Sequence, residues 1–224
     1  EIRRENYWSL LEQLRTPPER PNLLMLLSTY GGDPHAGYRI MRMLQNAYKN
    51  ITLYVPGPCK SAGTLMAMGA HALVMDEGGE FGPLDIQVLK KDEIAEMGSG
   101  LDINEALNSL AVQALETFRR VLLDIKIGAG VTTKMAGELA AKLTIGLYAP
   151  VFGQIDPIRL GEMQRAISIT YDYAKRLRTD NVKSETPLRL VTTYRDHGFA
   201  IDRGEACDLF ERVGDPQPVL SNLL

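Results

Sequence analysis

The chain has 224 residues, enough to bury a sizeable core in one domain. Its 25 basic and 28 acidic residues leave a net charge of -3, which gives no electrostatic reason to expect nucleic acid as a partner. The two cysteines, Cys59 and Cys207, are too few for a disulfide framework or a zinc site and suit a reducing, cytoplasmic compartment.

Apolar residues at helical spacing over 3–15 (RRENYWSLLEQLR) predict a first helix, stopped by Pro17-Pro18. NLLMLLSTYGGDP (22–34) reads as a buried strand running into a glycine turn, AGYRIMRMLQNAY (36–48) as a helix and ITLYV (51–55) as a second strand. After a proline-glycine turn, SAGTLMAMGA (61–70) is a short buried helix, HALVM (71–75) a third strand and DEGGE (76–80) an acidic turn. Apolar strands alternating with helices predict a parallel sheet covered on both faces. Beyond FGPLDIQV (81–88) a long amphipathic helix is predicted over 103–127, broken by Gly128 and Gly130, with further helices over 131–147 and 158–177. The polar stretch RTDNVKSETP (178–187) ends the helical block, and the tail closes with a helix (203–210) and an edge strand. The expected organisation is one α/β domain, with a core at about 20–90, a helical part at about 103–177 and a tail at 188–224. No apolar run approaches the roughly 20 residues that span a bilayer. The first residue is Glu rather than Met, so the expectation is of a trimmed chain that meets a membrane only through a segment not present here.

Two segments carry candidate chemistry. Ser61 stands where a strand, a tight turn and the first turn of a buried helix meet, a place that suits an N-cap but also sets Oγ beside backbone N–H groups able to hold an oxyanion. The small residues Ala62 and Gly63 let a substrate carbonyl approach the backbone there. Tyr30-Gly31-Gly32-Asp33-Pro34 is a strand-to-helix turn in which glycine supplies positive φ. In a parallel sheet the turns after the first and second strands are neighbours, so an N–H of Gly31 or Gly32 together with that of Ala62 would complete an oxyanion hole. His35 and His71 suit structural places, whereas His197 lies in the polar turn Arg195-Asp196-His197-Gly198. Neither these histidines nor the carboxylates have metal-ligand spacing, and no GxGxxG fingerprint or cofactor-lysine pattern is present, so no cofactor is expected.

TYGGDPHAG, PCKSAGTLMAMGAHALVM, FGPLDIQ and the later IDPIRLGEMQRA and YRDHGFAIDRGEACDLFERV, in that order, resemble the Clp-fold serine peptidases. The likeness is to the branch named the serine dehydrogenase proteinase (SDH) family, related to signal peptide peptidase A. It implies a Clp/crotonase-like parallel sheet core with a helical second half, Ser61 as nucleophile, and Gly31 or Gly32 with Ala62 as oxyanion hole. A serine needs a neighbour to accept its proton. Clp peptidases use a histidine downstream, where this chain reads Asp85-Ile86-Gln87; the signal peptide peptidase relatives use a lysine, for which Lys90 and Lys91 are the nearest candidates, and His197 is a third. Lys60 is expected to turn away from Ser61, and Asp85 suits a turn or a substrate-strand contact as well as an acid.

The reading that follows is a serine peptidase that binds an extended peptide or protein substrate by strand addition near FGPLDIQVL and works as a homo-oligomer. Two alternatives keep the fold: a catalytically inactive peptide-binding or scaffolding subunit, and a crotonase-like acyl-CoA enzyme.

Overall fold

A computed structural model of the chain describes residues 1–16, 18–84, 87–89, 97–194, 196 and 198–216. Its internal contacts divide it into two units, Glu1–Ser99 with Arg165–Leu224, and Gly100–Gln164. In chain order the first unit supplies α1 (Arg4–Gln13), β1 (Asn22–Leu26), α2 (Pro34–Ala47), β2 (Asn50–Val55), β3 (Pro58–Cys59), α3 (Ala62–Ala67), β4 (Ala72–Met75), β5 (Glu80–Phe81), β6 (Gln87–Leu89) and β7 (Met97–Ser99). The second unit holds α4 (Gly100–Gly128), α5 (Thr133–Phe152) and the start of α6 (Pro157–Leu177). The chain then returns through α6 to α7 (Thr186–Thr192), α8 (Arg203–Leu209) and β8 (Val213–Gly214).

The predicted parallel sheet is present in the first unit, with strand order β1-β2-β4-β8 and every neighbouring pair parallel. Its central strand β2 buries Ile51, Leu53, Tyr54 and Val55, the near-continuous burial of a strand covered on both faces. Leu53 lies opposite Leu73 of β4, and each such fully buried side chain contributes about 1.5–3 kcal/mol. β1 forms one edge and alternates exposed with half-buried positions.

α2 begins where Asp33 accepts the His35 N–H and Pro34 occupies a first-turn site whose missing N–H has no partner to lose. Its buried residues Ala36, Gly37, Ile40, Met41 and Leu44 recur at helical spacing. α3 is buried along its whole length. The two helices approach closely because Gly37 lacks a side chain: a Cβ there would stand 3.3 Å from the Ala62 carbonyl oxygen.

Several details differ from the sequence expectation. The proline-glycine segment read as a turn contains β3, which pairs in parallel with β5. α7 starts inside the polar stretch 178–187 that was expected to end the helices, with Pro187 in its first turn. α5 runs through Pro150 to Phe152 rather than stopping at 147, and the C-terminal edge strand β8 spans only two residues. Gln87–Leu89, part of the segment expected to receive a substrate strand, pairs antiparallel with Met97–Ser99.

Within the second unit α4 and α5 pack side by side, with Thr117 Oγ1 and Tyr148 Oη 3.0 Å apart and Lys126 Nζ donating to the Val131 carbonyl across the connection. α5 buries only Ala136 and Ala140 and exposes Met135, Leu139, Leu143, Ile145 and Leu147. Among the described residues no helix is long and apolar enough to cross a membrane.

Candidate active site

Backbone register brings the two sequence motifs together. Thr29 and Cys59 form an isolated parallel bridge in which the Thr29 N–H donates to the Pro58 carbonyl at 2.6 Å and the Lys60 N–H donates to the Thr29 carbonyl at 2.9 Å. Gly31 and Ser61 each lie two residues further along their own segments, and parallel pairing carries both forward to the same level. A Cβ added to Gly31 would stand 2.9 Å from Ser61 Cβ and 3.3 Å from its Oγ. Gly63 is equally constrained beneath, since a Cβ there would meet Thr29 Cγ2 at 2.8 Å and Cys59 Sγ at 2.9 Å.

Ser61 has φ 52 and ψ -112, and among the described residues it is the one non-glycine with positive φ. Holding a side-chain-bearing residue in such a region costs about 1–3 kcal/mol and persists only where the surroundings impose it. A capping serine keeps extended backbone angles and accepts an N–H of the helix it starts. Ser61 occupies the cap position of α3 yet makes no side-chain cap bond. Helix capping therefore does not account for this serine or for its backbone angles.

The glycine turn is fixed from two sides. Gly31 and Gly32 have φ 120 and 141, which L side chains rarely adopt. Gly32 bridges Ile2, with the Ile2 N–H donating to the Gly31 carbonyl and the Asp33 N–H donating to the Ile2 carbonyl, both at 2.8 Å. Thr29 Oγ1 accepts the Gly31 N–H at 3.0 Å and donates to the Gly31 carbonyl at 3.1 Å. Both polar backbone groups of Gly31 are thus engaged. The N–H groups of Gly32 and Ala62 make no hydrogen bond among the described residues. Thr64 Oγ1 donates to the Cys59 carbonyl and accepts the Gly82 N–H, tying α3 to β3 and to the segment after β5.

Of the other residues singled out by sequence, Lys60 keeps a nearly buried side chain and commits its ammonium to the Gly198 carbonyl at 3.0 Å and to Glu80 at 3.1 Å. His35 Nδ1 lies 2.9 Å from Tyr173 Oη. His71 Nδ1 accepts the Ile51 N–H while its own backbone N–H donates to the Ile51 carbonyl, so this histidine secures the start of the β2–β4 pairing. Cys59 is fully buried, and loss of solvation pushes its thiol far above the ordinary range. Asp85, Lys90, Lys91 and His197 lie outside the described residues. No cluster of metal-ligating side chains occurs among the described residues. The sequence reading missed Thr29, whose only signal was a hydroxyl two residues before a glycine pair at a strand end.

No protein-family model matches the chain. It is 25% identical over 154 residues to the uncharacterized protein MJ1495 of Methanocaldococcus jannaschii, covering 64% of this chain and 51% of that protein. It is 30% identical over 84 residues to the uncharacterized protein MJ0137 of the same organism, covering 38% of this chain and 29% of that protein. The chain therefore spans about half the length of the first relative and under a third of the second. Among solved structures, a mutant of the 1510-N membrane-bound stomatin-specific protease aligns over 61% of this chain and 63% of its own, at 18% identity and a TM-score of 0.34.

Proposed function

We propose that the chain is a serine-type peptidase of Clp-like architecture, of the serine dehydrogenase proteinase branch, with Ser61 as nucleophile. The observation that carries this reading is the backbone of Ser61: positive φ, no cap bond, and a glycine held against its side chain. A strained strand-to-helix turn that lifts a serine hydroxyl clear of its helix is the device by which α/β hydrolases present their nucleophile.

In the proposed reaction Ser61 Oγ forms a bond to the scissile carbonyl carbon and its proton passes to a general base. The carbonyl oxygen becomes an oxyanion held by the N–H groups of Gly32 and Ala62. The sequence reading left Gly31 and Gly32 as alternative donors; the Gly31 N–H is engaged by Thr29, which favours Gly32. Collapse of the intermediate breaks the amide C–N bond as the base returns its proton to the leaving nitrogen, and water then releases the acyl group from Ser61. Lys91, Lys90 and His197 are the candidate bases.

An extended peptide held by main-chain hydrogen bonds suits this site, and the exposed apolar residues of α4 and α5 support self-association, with a second copy covering them. Labelling by a serine-directed phosphonate, lost together with hydrolysis in Ser61→Ala, tests the assignment; binding of peptide without turnover or labelling would favour a non-catalytic subunit.

A further inference from the structure

Beside the glycine turn, α1, α2 and Tyr173 of α6 line a cavity of about 140 Å³ that the reaction above does not use. Its walls carry two guanidinium groups, Arg4 and Arg39, and the rings of Tyr7, Trp8, His35 and Tyr173. Among the described residues no carboxylate lines it, and Asp33 pairs with Arg4 of its wall. The rings are held in place: Tyr7 and Trp8 meet edge to face at 5.2 Å, Tyr173 stacks on Tyr38 at 4.1 Å, and Tyr173 Oη bonds His35 Nδ1. Arg39 lies over the Tyr7 ring at 5.9 Å, and Arg4 reaches Asp33 at 3.4 Å. Yet 60% of Trp8 is exposed, a large apolar face left uncovered beside two cations.

We infer that this cavity is a binding site for the carboxylate end of a peptide whose last residue is aromatic or branched and apolar. Guanidinium groups recognise a carboxylate by paired, charge-assisted hydrogen bonds, and the ring walls take the attached side chain. The volume supports an end group rather than a nucleotide or a larger cofactor, whose pockets run to about 300–1,000 Å³. The cavity also adjoins the reaction site through the chain itself. Arg4 follows two residues after Ile2, which clamps Gly31 and Gly32, and its ion-pair partner Asp33 is the next residue of that turn. A peptide end bound there would be anchored beside the turn that carries Gly31 and Gly32. The peptidase reading is used only in calling the ligand a peptide end.

Trp8 is the one tryptophan of the chain, so its fluorescence reports occupancy directly. Titration of the full chain with N-acetyl-L-phenylalanine is expected to give a saturable change. The midpoint is expected to be about tenfold or more weaker with N-acetyl-L-phenylalaninamide, and weaker by a similar factor in Arg39→Gln, from loss of a charge-assisted pair. Equal midpoints for acid and amide, an unchanged midpoint in Arg39→Gln, or no saturable response to the acid would overturn the inference. Ser61→Ala should keep the Trp8 response, so loss of hydrolysis with binding intact, or of binding with hydrolysis intact, tells the two proposals apart.

Discussion

A methyl group on Gly31 would come within 2.9 Å of Ser61 Cβ, so the first glycine of the turn meets the serine through the absence of a side chain. The second glycine is constrained differently, because a Cβ on Gly32 would stand 2.2 Å from the Ile2 carbonyl oxygen. Relieving the Gly31 contact takes a small shift of one side-chain carbon with its backbone, whereas relieving the Gly32 contact would force apart the hydrogen-bonded backbone of Ile2. Gly31→Ala is therefore expected to cut activity while the fold survives, at a cost of about 1–3 kcal/mol for alanine at positive φ. Gly32→Ala is expected to unfold at lower denaturant than Gly31→Ala. Urea melts of both variants with peptide turnover on the first check the order, and equal stabilities would contradict it.

The strain at Ser61 can be measured apart from any chemistry. Glycine adopts φ 52 without penalty, whereas alanine keeps the Cβ that makes it costly. Ser61→Gly is expected to be more stable than Ser61→Ala by about 1–3 kcal/mol, against the ordinary preference for alanine at a helix start. Denaturant unfolding of the two variants provides the comparison, and alanine equal to or better than glycine would remove the strained turn.

Thr29 offers a test of the scaffold behind the site. Its hydroxyl holds both the N–H and the carbonyl of Gly31, and its methyl packs at the spot a Gly63 side chain would fill. Thr29→Val keeps the shape and leaves a buried N–H without a partner, a loss of about 1–3 kcal/mol. Thr29→Ser keeps the hydroxyl. Peptide kcat/KM is expected to fall markedly in the valine variant and to be largely retained in the serine variant; equal losses would mean that packing rather than the hydrogen bonds matters there.

Much of this arrangement was legible in the sequence because the strands are short apolar runs bounded by turn residues, and a parallel sheet leaves few ways to order them. ITLYV and HALVM fall on β2 and β4, and the serine and the glycine pair were expected as neighbours from strand topology alone. What was not legible depended on tertiary pairing. β3 and β5 are two residues each and form through tertiary pairing, with one another and through the bridges Thr29–Cys59 and Phe81–Ile201, so neither carries a periodic signal. Which glycine has an engaged amide depends on Thr29 and Ile2, and the bridge to Ile2 comes from a residue ahead of the first helix. α7 carries little helical pattern beyond Leu190 and Val191, and burial against the core sustains it.

The apolar surface of α4 and α5 bears on self-association. Val112, Leu115, Leu123, Ile127, Leu143, Ile145 and Leu147 are exposed on a unit that buries little of α5. Light scattering at micromolar concentration is expected to give a mass that is a multiple of the 24.8 kDa chain. Paired Ile145→Glu and Leu147→Glu substitutions are expected to lower that mass, since a charge opposes burial in an apolar contact. A single-chain mass, insensitive to concentration and salt, would contradict the second copy.

Covalent labelling separates a nucleophilic Ser61 from an inert one. A fluorophosphonate incubated with the chain, followed by peptide mass mapping, is expected to add one group at Ser61 and to abolish hydrolysis in proportion. Ser61→Ala is expected to fold, at a stability cost of about 1 kcal/mol or less, to take up no label and to show no turnover. Label on another residue, or hydrolysis unchanged in Ser61→Ala, would contradict the account.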